Sequence, residues 1–158
     1  MKKSPVLLFS ICVIGVLAIG FLSGMSTADG VNGWFTTAKT PSFNPPNYLF
    51  GPVWTLLYAL MGVSLFLILR EEKSQLRSRG LQLFALQLTL NFFWSILFFR
   101  FQLTGWALIE IIVMWIAILA MILHFIRVKP IAGWLQIPYI LWVSFATLLN
   151  AAIFYLNP

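Results

Sequence analysis

Charge is the scarcest property of this sequence. Asp, Glu, Lys and Arg make up 9% of its 158 residues, against 61% hydrophobic ones. A water-soluble domain of this length has too little interior to hide that much apolar surface, so the surrounding solvent is lipid. The gaps between charges agree. No charged residue occurs in 4–28, 40–69, 80–99 or 130–158, and Glu110 alone interrupts 101–126. Cysteine is nearly absent too: Cys12 stands alone inside the first of these stretches, which excludes a disulfide framework and a thiolate zinc site. With one histidine, His124, and one carboxylate inside an apolar stretch, no catalytic triad, zinc site or carboxylate dyad can be assembled. No metal site is expected.

What is present is a set of apolar runs, each able to hold a helix of about 20 residues and so to cross about 30 Å of hydrocarbon. They predict an all-α membrane protein, a bundle of five transmembrane helices near 5–25, 47–69, 80–100, 104–126 and 131–156. Residues 1–158 are read as one domain. The run after Lys2 and Lys3 is about 20 residues, longer than the apolar core of a secretory signal, and is read as a retained first helix. The net charge of +6 is topology rather than affinity for nucleic acid. Lys2, Lys3, Arg70, Lys73, Arg77, Arg79, Arg127 and Lys129 fall on one side of the bundle, and Lys39 and Arg100 on the other. That bias places the N-terminus inside and the C-terminus outside, and favours a bacterial cytoplasmic membrane.

One connection is long. Residues 26–46 form a loop between the first and second helices, and loops of that length are functional or disordered. Trp34, Phe35 and Phe43 are costly to leave in water, while Thr40 and Asn44 precede prolines and are biased to extended backbone. The loop is therefore expected to fold as a lid; the alternative is an anchor that sets Trp34 and Phe35 at headgroup depth. Pro52 falls in the first turns of the second helix, where its missing N–H costs little. Pro138 falls inside the fifth, frees the Trp134 carbonyl and predicts a kink. An odd helix count without internal similarity argues against the tandem repeats of many secondary transporters.

Polar side chains inside the spans are informative because hydrocarbon offers them no partner. On the third helix Gln87, Asn91 and Ser95 recur every four residues on one face, beside Trp94 and Phe98. Phe50, Trp54, Tyr58 and Met61 make a stripe on the second helix. Tyr139, Trp142, Ala146 and Asn150 make another on the fifth. Interhelical hydrogen bonding accounts for such groups at about 1 kcal/mol each, and is the reading preferred for Ser95 and Asn150. At 1.5 Å per residue, Tyr58, Asn91 and Trp142 all fall about 16 Å deep. Three aromatic faces with matched amides beneath a stiff loop predict an apolar pocket with a few orienting polar groups, suited to a flat hydrophobic ligand. Glu110 is expected to pair with Arg100, the alternative being a proton relay. His124 is read as interfacial, and Gly20 with Gly24 points weakly to close helix packing and a homodimer.

The stretches "WFTTAKTPSFNPPNYLFGPVWTLLY" (34–58), "QLTLNFFWSILFF" (87–99) and "WLQIPYILWVSFATLLN" (134–150) resemble the translocator protein / tryptophan-rich sensory protein (TspO/MBR) family. The likeness runs in order over nearly the whole chain. It implies a five-helix bundle that binds tetrapyrroles such as protoporphyrin IX and haem, along with synthetic isoquinoline and benzodiazepine ligands. No cofactor is required. It also implies a pocket between the helices under the first loop, involving Trp34, Pro45, Trp54, Tyr58, Asn91, Trp142 and Ala146. Two departures bear on function. No Lys or Arg follows Tyr155, so the cholesterol motif of animal members is missing and sterol transport is not expected. Phe35 stands where several relatives carry tyrosine, which takes a hydroxyl from the lid.

Three functions remain open on the sequence. The first is a binding protein for a porphyrin-class small molecule, acting in sensing, transport or a stress response, with membrane lipid as its other partner. Its ligand contacts are expected from Trp34, Pro45, Phe50, Trp54, Tyr58, Gln87, Asn91, Ser95, Tyr139, Trp142 and Ala146. The second is light- and oxygen-dependent porphyrin degradation, for which Trp54 and Trp142 would act as oxidisable donors. The third is a structural or regulatory membrane subunit.

Overall fold

A computed structural model describes residues 4–157. Lys2 and Lys3, part of the charge bias above, lie outside the described residues. Among those described, 86% are helical and none is in a strand. The backbone polar groups of the spans are thus satisfied within helices, as hydrocarbon demands. Five helical segments are long and apolar enough to cross a membrane: Pro5–Asn32, Asn47–Arg70, Gln75–Arg100, Thr104–Val128 and Pro130–Leu156.

The first span is a single helix, α1 (Pro5–Asn32), seven residues longer than the sequence implied. Its polar end does not unwind because the Ser26 and Thr27 hydroxyls bond back to the Ser23 carbonyl at 2.8 and 3.0 Å. The predicted 26–46 lid shrinks accordingly. It becomes one short helix, α2 (Trp34–Thr37), followed by irregular backbone over 38–46. The second span opens with a 3-10 turn (Asn47–Leu49) that runs into α3 (Phe50–Arg70), with Pro52 in the first turn of α3.

Helix α4 (Gln75–Ser95) begins five residues earlier than expected, since Ser74 caps it by accepting the Arg77 N–H. The Arg77 guanidinium then reaches back to the Ile68 and Leu69 carbonyls at 2.9 and 3.1 Å, closing the end of α3. The last turn of this span widens into a π segment, Ile96–Arg100, which no sequence signal announced. The fourth span is α5 (Thr104–Val128). The fifth is broken into α6 (Pro130–Trp134) and α7 (Ile137–Leu156). The break falls just before Pro138, where the kink was expected.

Helix α1 packs along α3, α4 along α5, and α5 along α7. Gly62 lets α1 and α3 approach closely: a Cβ there would sit 2.6 Å from the Val13 Cα. Met61, Ile68, Ile111, Met114, Ile118, Met121 and Phe125 fill the interior. Ile14, Phe21, Trp106, Ile116 and Leu148 face outward, toward lipid. The expected Glu110–Arg100 pair is not formed. Arg100 ends the π segment, exposed at the rim, while Glu110 lies about 9 Å inside α5. Among the described residues the ion pair is Lys129 with Glu71, at 3.0 Å.

Candidate functional site

The aromatic stripes of α3, α4 and α7 converge, with α1, on a cavity of about 730 Å³. Phe50, Trp54 and Tyr58 of α3, Trp142 and Ala146 of α7, and Ser95 of α4 line it, together with Trp94. The π segment turns Phe98 and Phe99 into the same space, against the buried ring of Phe35 from α2. The lining carries no carboxylate, imidazole, thiol or basic group.

A hydrogen-bonded network lies behind Tyr58, beneath the cavity. The Tyr58 hydroxyl donates to the Asn91 side-chain carbonyl, and the Asn91 amide donates to the Tyr139 hydroxyl at 3.1 Å. Tyr139 in turn donates to Gln87 Oε1 at 2.7 Å, and Gln87 Nε2 points to the Met61 sulfur at 4.0 Å. Each member is buried, and in that setting an unsatisfied amide or hydroxyl is expensive, so the groups spend their capacity on one another. This corrects part of the expected lining. Gln87, Asn91 and Tyr139 share the predicted faces but do not reach the cavity. They hold its floor instead.

Two further residues fall elsewhere. Trp34 is half-buried and packs edge-on against Phe98, with centroids 5.7 Å apart, and it is its neighbour Phe35 that faces the cavity. In a helical turn adjacent residues point about 100° apart, and sequence alone did not reveal that α2 was a helix. Pro45 is half-buried in the 38–46 segment and does not line this cavity. That segment is fastened to the end of α7. Lys39 N–H donates to Asn157 Oδ1 at 3.0 Å, Asn157 Nδ2 donates to the Lys39 carbonyl at 2.9 Å, and Phe43 meets Phe145.

Asn150 plays both parts considered for it. Its Oδ1 accepts from Trp94 Nε1 at 3.1 Å and its Nδ2 donates to the Thr104 carbonyl at 2.8 Å, and the residue also borders the cavity. Ser95 bonds weakly to the Asn91 carbonyl of its own helix at 3.4 Å. Trp142 is the exception among these side chains. Its indole N–H is buried in the cavity wall and has no partner.

The largest omission of the sequence reading is α1. Gly20, Ser23, Gly24 and Thr27 line the cavity from one face of that helix. Of these, only the Gly20–Gly24 spacing is a signal in the sequence, and there it points to helix packing. Gly20 does serve packing, since a Cβ there would collide with the Tyr58 ring, but Gly24 faces open space.

Five apolar spans around an aromatic cavity define an integral, multi-pass membrane protein with an internal apolar chamber. The TspO/MBR family matches residues 12–156, and the chain belongs to that family. It is 41% identical to a tryptophan-rich protein TspO of Chlorobaculum tepidum over 158 residues, covering 99% of each chain. It is 35% identical to the translocator protein of Homo sapiens, over 74% of this chain and 70% of that one. It is 33% identical to the tryptophan-rich sensory protein of Cereibacter sphaeroides, over 78% and 77%. Membership fits a role in sensing or transport at a membrane.

Proposed function

We propose that this protein binds a porphyrin-class, largely apolar ligand in the cavity and that this binding serves sensing or transport. Synthetic isoquinoline and benzodiazepine compounds are expected to occupy the same space. The observation that carries the reading is the 730 Å³ chamber itself, walled mainly by aromatic and small side chains with a few hydroxyls and amides among them. The volume falls within the range of ligand pockets, which combine apolar walls with few polar groups. The Trp142 N–H is buried without a partner behind that wall, and an acceptor on the ligand, such as a carboxylate or carbonyl, meets it once the indole turns toward the chamber. Trp54, Trp94 and Phe98 supply aromatic wall against which a flat conjugated molecule can pack. The charge bias supports an N-terminus facing a bacterial cytoplasm. A titration of the purified protein in detergent with protoporphyrin IX tests the reading. A saturable, one-to-one change in porphyrin absorbance is expected, and its absence would refute the proposal.

The placement of Trp54 and Trp142 together in the lining favours a second reading, in which these indoles donate electrons to a photo-excited porphyrin in the presence of oxygen. Illumination of the complex with Trp54→Phe and Trp142→Phe separates the two. Porphyrin loss equal in variants, wild type and free porphyrin would remove the degradative role and leave binding intact.

A further inference from the structure

The cavity wall divides by exposure. Its residues from α4, the π segment, α7 and α2 are all buried or half-buried. Every exposed one belongs to α1 or to the stretch that opens the second span: Phe21, Gly24, Met25 and Asn32 on one side, Asn47, Gly51 and Thr55 on the other. They form a slot that runs about 16 Å along α1, from its loop end into the apolar part of the span.

Two glycines mark where the wall is missing. A Cβ on Gly62 or Gly20 would strike a neighbouring helix, so those glycines permit contact. A Cβ on Gly24 or Gly51 would meet nothing within 4 Å. Nothing approaches them, and the chamber is open there to whatever surrounds the helices. Both flanks are spans long and apolar enough to cross a membrane, so the deep end of the slot, at Phe21 and Met25, meets lipid. The loop end, by contrast, is closed by the buried ring of Phe35. The slot is also graded. Asn32 and Asn47 stand at the loop end, where headgroups lie, and Phe21 and Met25 stand deeper.

We propose that the slot between α1 and α3 is a lateral doorway through which an amphiphile dissolved in the bilayer enters and leaves the cavity. Its apolar part passes Phe21 and Met25 while its polar part stays near Asn32 and Asn47. The doorway gives the route to the site of the proposed function and rests on that reading for its ligand.

The test uses the full chain in phosphatidylcholine nanodiscs, with protoporphyrin IX as probe and stopped-flow tryptophan quenching as readout. The double variant Gly24→Phe/Gly51→Phe narrows the slot. Gly15→Phe, at an exposed α1 glycine with free space that lies outside the lining, controls for bulk on that helix. Asn157→Ala loosens the 38–46 segment, which lies outside the lining at the loop end. Association and dissociation are both expected to slow about tenfold in the double variant and to stay within about twofold in the other two. Unchanged rates in the double variant, or rates that rise with Asn157→Ala, would overturn the doorway. So would faster dissociation in the double variant, which would make the slot part of the ligand contact.

A second measurement keeps the doorway decidable if wild-type protein shows no saturable porphyrin signal, a result that refutes the ligand instead. A phosphatidylcholine carrying a diazirine near one chain end is photolysed in the nanodisc, and labelled residues are mapped by mass spectrometry. Labels on the cavity residues Phe50 and Trp54, lost in the double variant, support the doorway. Labels confined to outward residues such as Ile14 and Ile116 overturn it.

Discussion

The Tyr58 hydroxyl donates to the side-chain carbonyl of Asn91, tying α3 to α4 directly beneath the cavity. The same amide donates to Tyr139 on α7, so one side chain joins three membrane spans. Asn91→Leu leaves two buried tyrosine hydroxyls short of a partner and is expected to destabilise the fold by about 1–3 kcal/mol. Thr89 bonds only to its own helix, through the Ala85 carbonyl, and is exposed. Thr89→Val should therefore stay within about 0.5 kcal/mol. Denaturant unfolding in detergent, followed by circular dichroism, compares the two. Equal effects would show that the network does not tie the spans together.

Trp142 separates binding from folding. Its indole N–H makes no bond within the protein, so Trp142→Phe keeps most of the ring packing against Phe50 and Phe145 and sacrifices no hydrogen bond. Stability is expected to change by less than about 1 kcal/mol, while affinity for a ligand bearing an acceptor falls about tenfold, the equivalent of one good hydrogen bond. Isothermal titration of wild type and variant with protoporphyrin IX measures the difference. Unchanged affinity would mean that the donor is not used.

The two glycines of the α1 pair are predicted to behave oppositely. At Gly20 a methyl group collides with the Tyr58 ring, and Tyr58 cannot yield without breaking its bond to Asn91. Gly20→Ala should lower the thermal midpoint, with a penalty of about 1–3 kcal/mol typical of overpacking. At Gly24 the methyl group meets nothing within 4 Å, and the helix gains the better propensity of alanine. Gly24→Ala should leave the midpoint unchanged or raise it. A homodimer built on this pair would reverse the Gly24 result.

Most of the fold was legible in the sequence because hydrocarbon enforces a simple rule, that charge-free runs of sufficient length become helices. The boundaries were less so. The polar stretch Ser26–Asn32 reads as a loop, yet hydroxyls that bond back to their own helix let α1 continue. Arg77 and Arg79 read as loop residues, yet a Ser74 cap starts α4 before them. Periodicity located the helix faces that meet, and Phe50, Trp54, Tyr58, Ser95, Trp142 and Ala146 do share the cavity. It could not rank depth behind a face. Asn91 and Gln87 lie one layer behind Tyr58 because neighbouring hydroxyls satisfy them there. The contribution of α1 was missed because its face toward the chamber consists of glycine, serine and threonine, the composition of a packing seam.

Glu110 offers the sharpest contrast between sequence expectation and structure. Both of its carboxylate oxygens are buried without a hydrogen-bond partner, and Arg100, its expected partner, is exposed at the rim. A side chain in that position carries a desolvation cost with no bond to offset it. Glu110→Gln keeps its shape and removes any need to bury a charge. The variant should be as stable as wild type or more stable by about 1 kcal/mol, and Arg100→Gln should stay within about 0.5 kcal/mol. Unfolding of both variants in detergent checks this. A loss of equal size in both would establish an Arg100–Glu110 pair in the membrane. A loss in Glu110→Gln alone would show that the carboxylate meets a group from outside this chain.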